Sequence, residues 1–452
     1  MNIAIVGCGK IGRTLIDSLT NEGHDVTAID RGAEVVGEVS NVYDVIGVIG
    51  SATDPDTLRE AGVERTDLFI AVTGSGETNM LACFIAKRMG AEHTVARIRN
   101  PEYSAASQSF LKKHLELSLA VNPDQLAAQE LFHLLRLPSA VKVEYFSQRR
   151  FAMVELRLKQ DSLLDGLALH ELRKKYPAAY LLGTVRRGEE VFIPGGDFVL
   201  RGGDHIGVIA APAEMQRLMR MLGLLKKQAQ SVMLLGASKT AYYLTQQLLA
   251  AGTEVTIIEQ DPKRCADMSE KFADATVICG DGARQEILLE EGILSTDAFV
   301  SLTGFDEENI LISIFADTQC VPKVITKINR AELAAMAGKL GLDSIVSPRR
   351  TVADVLVGYA RALENSQGSA VETLYKLMDG KVEALEFIVR DDFRYVNTPL
   401  KDLPFKKNVL IGGILRGRRA IMPGGDEVLQ PGDKVVVLAA AQRLRDLIDV
   451  IR

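Results

Sequence analysis

The sequence predicts an α/β protein built as a tandem duplication, on three observations. The chain opens on a short apolar run, Asn2–Val6, that meets Gly7-Cys8-Gly9-Lys10-Ile11-Gly12, and Leu15, Ile16 and Leu19 follow at helical spacing. Strand-like runs then alternate with helical ones over the first third of the chain. The same plan is then written a second time: Gly7 and Gly236 stand 229 positions apart, and so do Asp30 and Glu259.

The opening stretch carries the first inference. A second strand, Asp25–Ile29, ends on Asp30. Glycines after a strand, a helix behind them and an acid about 20 residues on form the nucleotide-binding βαβ fingerprint. Gly7 permits the tight turn, Gly9 lets backbone approach a phosphate, and Gly12 lets helix pack closely on strand. Unpaired N–H groups at the helix start face the anion. Asp30 would accept hydrogen bonds from ribose hydroxyls and repel a 2′-phosphate. That favours NAD(H) or an adenine nucleotide over NADP(H), with Arg31 keeping the exclusion incomplete.

Further strands are expected at Val45–Ile49, Leu68–Val72, Thr94–Ile98 and Leu115–Val121. Between them, Asp54-Pro55 starts a helix with an acid placed to cap and proline in the first turn. Others run from Glu77 to Met89 and from Pro101 to Lys113, and Asn122-Pro123 starts one that ends at Pro138. Strands in such alternation read as a Rossmann-like, doubly wound parallel sheet. From Val141 the character changes. Val141–Phe146, Phe151–Leu158, Tyr180–Val185, Val191–Ile193 and His205–Ala210 read as short strands, with helices at Asp165–Lys175 and Ala213–Leu222. Turn clusters such as Pro194-Gly195-Gly196-Asp197 punctuate them, giving a small α+β domain with antiparallel pairing.

The repeat covers both parts. Asp67–Gly74 answers to Asp297–Gly304, and Pro194 and Pro423 open matching turns. The expected organisation is two Rossmann-like domains, 1–136 and 229–365, each followed by a small α+β domain, 140–225 and 368–452. Fused copies can pack through a pseudo-two-fold interface, and a symmetric higher assembly follows naturally.

The second glycine loop is altered: Gly236-Ala237-Ser238-Lys239-Thr240-Ala241 places serine at the second glycine position and alanine at the third. Alanine there is compatible with the fingerprint, whereas serine adds a side chain where a phosphate would approach. Glu259 still supplies the acid. The second site is therefore either a decayed structural copy or a weaker site with its own ligand preference. Arg97 and Arg99 at the end of the fifth strand would reach the carboxyl edge of the sheet, where ligands bind, and could grip phosphate oxygens. Pairing with surface carboxylates is the alternative reading. Thr73 and Gly74 line the same crevice. The counterparts Lys327 and Asn329 retain less of that capacity.

Composition narrows the function. A net charge of −6 without a long basic run argues against a nucleic-acid partner. No apolar run approaches the roughly 18 residues of a membrane helix. The N-terminus reads as a core strand rather than a leader, so a cytoplasmic location is expected. Five cysteines, at 8, 83, 265, 279 and 320, contain no CxxC pair. Cys8 sits in the glycine loop and the other four in expected strands or helices, as free thiols. The histidines show no metal-ligand spacing, and no metal site is expected. His24, at a helix–strand junction, reads as a surface residue. No Ser-His-Asp signature, HExxH or GxxxxGK[ST] loop is found, and no catalytic residue is assigned.

The nucleotide fold at the N-terminus, the run Ala96-Arg97-Ile98-Arg99-Asn100-Pro101-Glu102-Tyr103 after its fifth strand, and the small domain with PGGD, all in two copies, closely resemble Trk-type potassium-uptake regulatory subunits. These consist of two tandem units of the regulator-of-potassium-conductance (RCK) type. The resemblance implies a regulatory role without catalysis. NAD(H), ATP or ADP would be the regulatory ligands, and an integral-membrane potassium-translocating subunit the partner. A homotetramer would form a ring of eight units on the inner face of the cell membrane. It carries ligand-binding roles to Gly7, Cys8, Gly9, Lys10, Ile11, Gly12, Asp30, Thr73, Gly74, Arg97 and Arg99, and in the second copy to Gly236–Thr240 and Glu259. Where the family has acids after the third strand and in the loop after the fourth, this sequence has Ser51, Gly74 and Gly76. An NAD-dependent oxidoreductase, or a regulator of another cation channel or antiporter, are the alternatives.

Overall fold

The structure is a computed structural model and describes residues 1–101, 103, 105–147, 149–224, 228–366, 371–442 and 444–452. The first unit alternates β1 (Asn2–Val6), α1 (Lys10–Asn21), β2 (Asp25–Asp30), α2 (Ala33–Val42), β3 (Ile46–Ile49) and α3 (Pro55–Glu60). It continues with β4 (Leu68–Ala71), α4 (Gly76–Met89), β5 (His93–Arg97), α5 (Ala105–His114), β6 (Leu119–Val121) and α6 (Pro123–Arg136). Its strands pair in parallel in the order β3-β2-β1-β4-β5-β6. The winding direction reverses between β1 and β4, which opens a crevice at their carboxyl ends. Helix starts follow the sequence: Asp54 accepts from the amides of Asp56 and Thr57 ahead of α3, and Asn122 accepts from those of Asp124 and Gln125 ahead of α6.

The first small domain holds β7 (Lys142–Phe146), β8 (Phe151–Arg157), α7 (Leu169–Lys175), β9 (Tyr180–Arg187), β10 (Glu190–Phe192), β11 (His205–Ala210) and α8 (Pro212–Met221). Its antiparallel sheet runs β10-β9-β11-β8-β7. The second unit repeats the plan with β12 (Ser231–Leu235), α9 (Lys239–Ala250), β13 (Glu254–Glu259), α10 (Pro262–Lys271), β14 (Thr276–Cys279) and α11 (Gln285–Glu290). After these come β15 (Ala298–Ser301), α12 (Asp306–Thr318), β16 (Lys323–Lys327), α13 (Ala331–Lys339), β17 (Ile345–Val346) and α14 (Pro348–Ser366). The parallel order β14-β13-β12-β15-β16-β17 matches the first sheet. The second small sheet, β18 (Val371–Leu377), β19 (Val382–Ile388), β20 (Val409–Arg416), β21 (Arg419–Ile421) and β22 (Lys434–Ala440), runs β18-β19-β22-β20-β21.

The cores cross between the units. Helix α6 packs its Ala127, Leu131 and Leu134 into one core with Val232, Leu234 and Leu244 of the second sheet and with the first small domain. Helix α14 packs Val352, Leu356 and Ala360 against Ile5, Leu15 and Leu19 of the first unit and against the second small domain. The two closing helices thus trade places. Each fully buried leucine in that exchange contributes about 1.5–3 kcal/mol of hydrophobic stabilisation. The small sheets also share a core, with Phe146, Phe151, Met153 and Ile209 meeting Val382, Val436 and Leu438.

Several local expectations need correction. The strand expected from Leu115 begins only at Leu119, because α5 runs to His114 and Glu116 takes a positive φ of 52°. The helix expected from Asp165 begins at Leu169, after a turn containing Gly166 at φ 75°. In the expected helix 101–113, positions 102 and 104 lie outside the described residues, as do the expected domain limits 225 and 368. Cys320 is not in a helix or strand; it follows α12 in a turn with φ 58° and is exposed. His24 is buried instead of surface-facing. The end of α1 is covered by the exchanged α14, whose Arg361 bonds Glu22 at 2.8 Å through Nε.

Candidate functional site

Local sequence dictates the shape of the first glycine loop. Gly7 sits at φ 96°, and a Cβ there would come within 2.9 Å of the Thr73 amide nitrogen. A Cβ on Gly12 would lie 1.8 Å from the Gly7 carbonyl oxygen. Gly9 has nothing within 4 Å of a Cβ position, so its open side is where a phosphate can come close to backbone. Gly9 is also the N-cap of α1 and brings no side chain to cap it, leaving the amides of the first turn available to an anion. Cys8 faces inward; burial, followed by the nearby Asp30 charge, pushes its thiol up to about 12. It is a packing residue of the loop.

Asp30 holds the loop in place. Its Oδ2 accepts from the Cys8 amide at 2.8 Å and its Oδ1 from the Gly32 amide at 3.0 Å. A carboxylate offers about four acceptor positions, so two remain for a ligand.

At the far side of the crevice a clamp joins β4, α4 and β5. Asn79, fully buried on α4, accepts from the Thr73 amide at 2.9 Å and donates to the Arg97 carbonyl at 2.9 Å. Arg97 donates through Nη2 to the Thr73 carbonyl. It is 8% exposed, and its Nε has no partner. Burial, and then the neighbouring Arg99, lowers its pKa. Arg99 is paired as well: its Nε donates to Asp124 Oδ2 at 2.7 Å, and that carboxylate is buried. The pairing is with a buried acid of the exchanged helix and not with a surface carboxylate.

These groups surround one cavity of about 700 Å³, a size ordinary for a small-molecule or cofactor site. Gly7, Gly9, Lys10, Ile11 and Asp30 line one end, with Arg31 beside them. Thr73, Gly74, Arg97 and Arg99 line the middle. Pro123 and Asp124 at the start of α6 line it too, and the second unit contributes Thr240, Lys327, Asn329, Pro348 and Arg349. Gly12 and Cys8 shape the loop from behind.

Sequence reading placed Thr240 in a second site and discounted Lys327 and Asn329. In the structure Thr240, Lys327 and Asn329 line the first crevice. Arg349 and Asp124 were missed altogether. A signal existed, since Asn122-Pro123-Asp124 and Ser347-Pro348-Arg349 begin corresponding helices. The cavity is therefore lined by matched positions of both units, Asp124 with Arg349 and Arg97 with Lys327.

The second loop is organised differently. Ser238 Oγ accepts from the Ala241 amide at 3.3 Å and caps α9 itself. Glu259 is buried and repeats the part of Asp30, accepting from Ala237 N at 2.6 Å and Asp261 N at 3.0 Å. Gly236 keeps the turn at φ 94°. Lys239 is exposed. Asp306, where the first unit has Gly76, is buried and accepts from the amides of Asn329 and Arg330 at 3.1 and 3.0 Å.

The chain matches the TrkA-N domain over residues 3–123 and 232–348 and the TrkA-C domain over 153–223 and 384–452. It belongs to the TrkA family. The Trk system potassium uptake protein TrkA homolog of Archaeoglobus fulgidus is 32% identical over 454 residues, covering 100% of both chains. The Trk system potassium uptake protein TrkA of Vibrio alginolyticus is 29% identical over 97% of this chain and 95% of that one. Among solved structures, the GsuK RCK domain superposes with a TM-score of 0.63 at 16% identity, covering 97% of this chain and 92% of that one. The GsuK channel bound to NAD gives 0.64 at 15% identity over 97% and 77%. At such identities the likeness establishes the fold. In TrkA terms, the crevice described above lies in the first TrkA-N domain and is walled by the second.

Proposed function

We propose that this TrkA-family chain is the nucleotide-binding regulatory subunit of a Trk-type potassium-uptake system. It would sense NAD(H), ATP or ADP and control an integral-membrane potassium-translocating subunit without doing chemistry on its ligand. The observation that carries the reading is the cavity itself, because it is built from both units. A ligand seated there makes contacts that depend on how the units are disposed. It can shift a conformational equilibrium by the difference between its affinities for two such dispositions. The lining supports binding rather than turnover. Its ionisable groups are cations plus the engaged carboxylates of Asp30 and Asp124, and the one thiol of the loop is buried and neutral.

Assembly is supported by apolar residues exposed at matched places in both units. Leu81 and Leu311 on α4 and α12 are 50% and 66% exposed; Phe110 on α5 and Leu340 just after α13 are 62% and 59% exposed. The repetition suits a ring in which units meet alternately through the same face, here four chains and eight units on the inner surface of the membrane. Among the described residues no helix is long and apolar enough to cross a membrane, which suits attachment through the partner.

The test is co-purification with the cognate membrane subunit, followed by potassium flux in vesicles with ATP, ADP, NAD⁺ or NADH. Nucleotide-dependent flux supports the reading. Flux indifferent to all four ligands, in a complex that assembles, refutes it. Steady consumption of NADH absorbance with candidate substrates would instead favour an oxidoreductase.

A further inference from the structure

The second unit carries two cysteines that the nucleotide crevice does not use. Cys265 lies on α10 and is 7% exposed, while Cys279 ends β14 and is exposed. Strand register places Cys279 directly beside Glu259, the acid that holds the second glycine loop. Cys265 reaches the same residue from α10, its Sγ donating to the Glu259 carbonyl at 3.2 Å. Side chains alternate along a strand, so Cys279 shares a face with Val277. Val277 packs against the core that holds Met268 and Phe272. Cys265 precedes Met268 by three residues and shares its side of α10. The two thiols therefore meet under one helix, within hydrogen-bonding distance of each other.

The matching positions of the first unit are apolar. There Ile49 stands beside Asp30 in the same register, and Val36 on α2 takes the place of Cys265. A buried cysteine packs as a small hydrophobe, so packing alone accepts valine and isoleucine at these places. It does not call for sulfur at both of them at once. Exposure also divides the roles of the pair. Cys279 is open to a dissolved reagent, whereas burial, and then the contact with Cys279, pushes the Cys265 thiol up to about 12. Cys265 stays protonated behind the exposed sulfur.

We propose that Cys265 and Cys279 form a redox site that hydrogen peroxide closes to a reversible disulfide, fastening α10 to the edge of the second sheet beside Glu259. The Cys279 sulfur attacks one oxygen of the peroxide, the O–O bond breaks, and the departing hydroxide takes the thiol proton and leaves as water. The Cys265 sulfur then attacks the sulfenic acid so formed. The S–S bond forms, the S–O bond breaks, and the second thiol proton leaves with that oxygen as water. The two sulfurs give up two electrons between them, and the peroxide accepts both. An external dithiol reverses the reaction by exchange at the exposed sulfur. Closure removes the Cys265 donor from the Glu259 carbonyl, which keeps its bond from the Gly280 amide at 2.9 Å. The loop acid stays in place while the helix behind it becomes tied to the edge strand β14. The pair stands at the carboxyl ends of β13 and β14, the side of the sheet on which such folds meet their ligands.

The experiment is peptide mass mapping of the full-length chain after brief exposure to hydrogen peroxide and alkylation of the remaining thiols. Trypsin cuts after Arg264, Lys271 and Arg284, which puts the two cysteines on separate peptides, 265–271 and 272–284. The expected product is these peptides joined and two hydrogens lighter than their sum, separating again in dithiothreitol. Thiol titration of the native chain should fall from two reactive groups, Cys279 and Cys320, to one. In Cys279→Ser, a change at an exposed position, the 265–271 peptide should keep a free thiol after peroxide. Folded Cys265→Ser should accumulate a Cys279 sulfenic acid that a cyclic 1,3-diketone traps, a product wild type does not retain. Cys279 recovered as a sulfinic acid with Cys265 still a thiol overturns the inference. So does a disulfide that joins Cys279 to Cys320 or to a second chain.

Discussion

The two glycine loops share a strand, a turn glycine at φ 96° or 94°, and a following acid that accepts two backbone amides. They differ at the helix start. In the first, Gly9 leaves the α1 amides uncapped beside open space; in the second, Ser238 caps α9 with its own hydroxyl. One loop keeps its anion-binding capacity for something outside the chain, and the other satisfies it internally. The crevices diverge in the same sense, Gly76 in one being Asp306 in the other. Duplication therefore left a chain with two similar frames, in which one frame offers a crevice and the other completes it. A side chain of two heavy atoms can make that difference because the fingerprint depends on backbone groups reaching the ligand directly.

The helix exchange is unequal too, and it gives the largest expected effect. Arg361 on α14 is buried between Glu22 and Glu383, at 2.5 and 2.8 Å from their oxygens. The corresponding residue on α6 is Arg136, which is exposed and lies over the Phe132 ring. Arg361→Ala should cost about 3–5 kcal/mol, the usual cost of stranding a buried charge, read as a lower denaturation midpoint. Burial raises the Glu22 pKa, but Arg361 and then Lys376 outweigh it and hold it below its ordinary value. A carboxylate depressed in the folded state stabilises above its unfolded pKa and loses that contribution as pH falls through the folded one. The difference between wild type and Arg361→Ala should accordingly shrink in acid.

Next in size is Gly12→Ala. The added methyl would meet the Gly7 carbonyl oxygen at 1.8 Å, so the loop must shift, at a cost of about 1–3 kcal/mol and with loss of nucleotide binding. Ala241 already fills this position in the second loop, and Ala241→Gly should leave nucleotide affinity unchanged. Loss of binding in both variants would erase the distinction between the loops. Gly9→Ser imitates the second loop more narrowly. It should retain or slightly raise thermal stability, because a serine caps the helix, yet weaken nucleotide binding by about tenfold, comparable to one charge-assisted hydrogen bond. Undiminished affinity in titration would show that the capping hydroxyl is not what sets the loops apart.

Local encoding explains what was legible. The strands Asn2–Val6 and Asp25–Asp30, the caps at Asp54 and Asn122 and the 229-residue repeat are all written within short windows, and the structure follows them. The doubly wound parallel sheets followed from that alternation. What escaped is carried by packing between distant segments. His24 reads as exposed only until α14 is known to cross α1. Arg97 reads as a reaching guanidinium, yet its Nη2 is held by the Thr73 carbonyl through a clamp whose centre, Asn79, looks like any helical asparagine. Lys327 seemed a weakened copy of Arg97 because the comparison ran along the chain; in space the two residues face one cavity. Asp124 and Arg349 belong to matching Asn-Pro-Asp and Ser-Pro-Arg starts, and only the exchange of α6 and α14 brings both to the crevice.

The smallest predicted effect tests whether Lys327 takes part while charged. Burial lowers its pKa to about 8, the nearby Asp124 and Asp306 opposing that shift and Arg99 and Arg349 adding to it. A phosphate brought against the ammonium would raise the pKa again, so ligand binding should take up a proton around this pH. Affinity for ATP is then full below the free-state value and declines as pH rises through it. Between pH 7 and pH 8 the charged fraction falls roughly twofold, and ATP affinity should weaken by about that factor. In Lys327→Arg, whose guanidinium stays protonated throughout, the decline should vanish. ADP, which lacks the terminal phosphate, should show a smaller step in wild type. An equal pH dependence for ATP and ADP would place the titrating group at the first loop and remove Lys327 from the site.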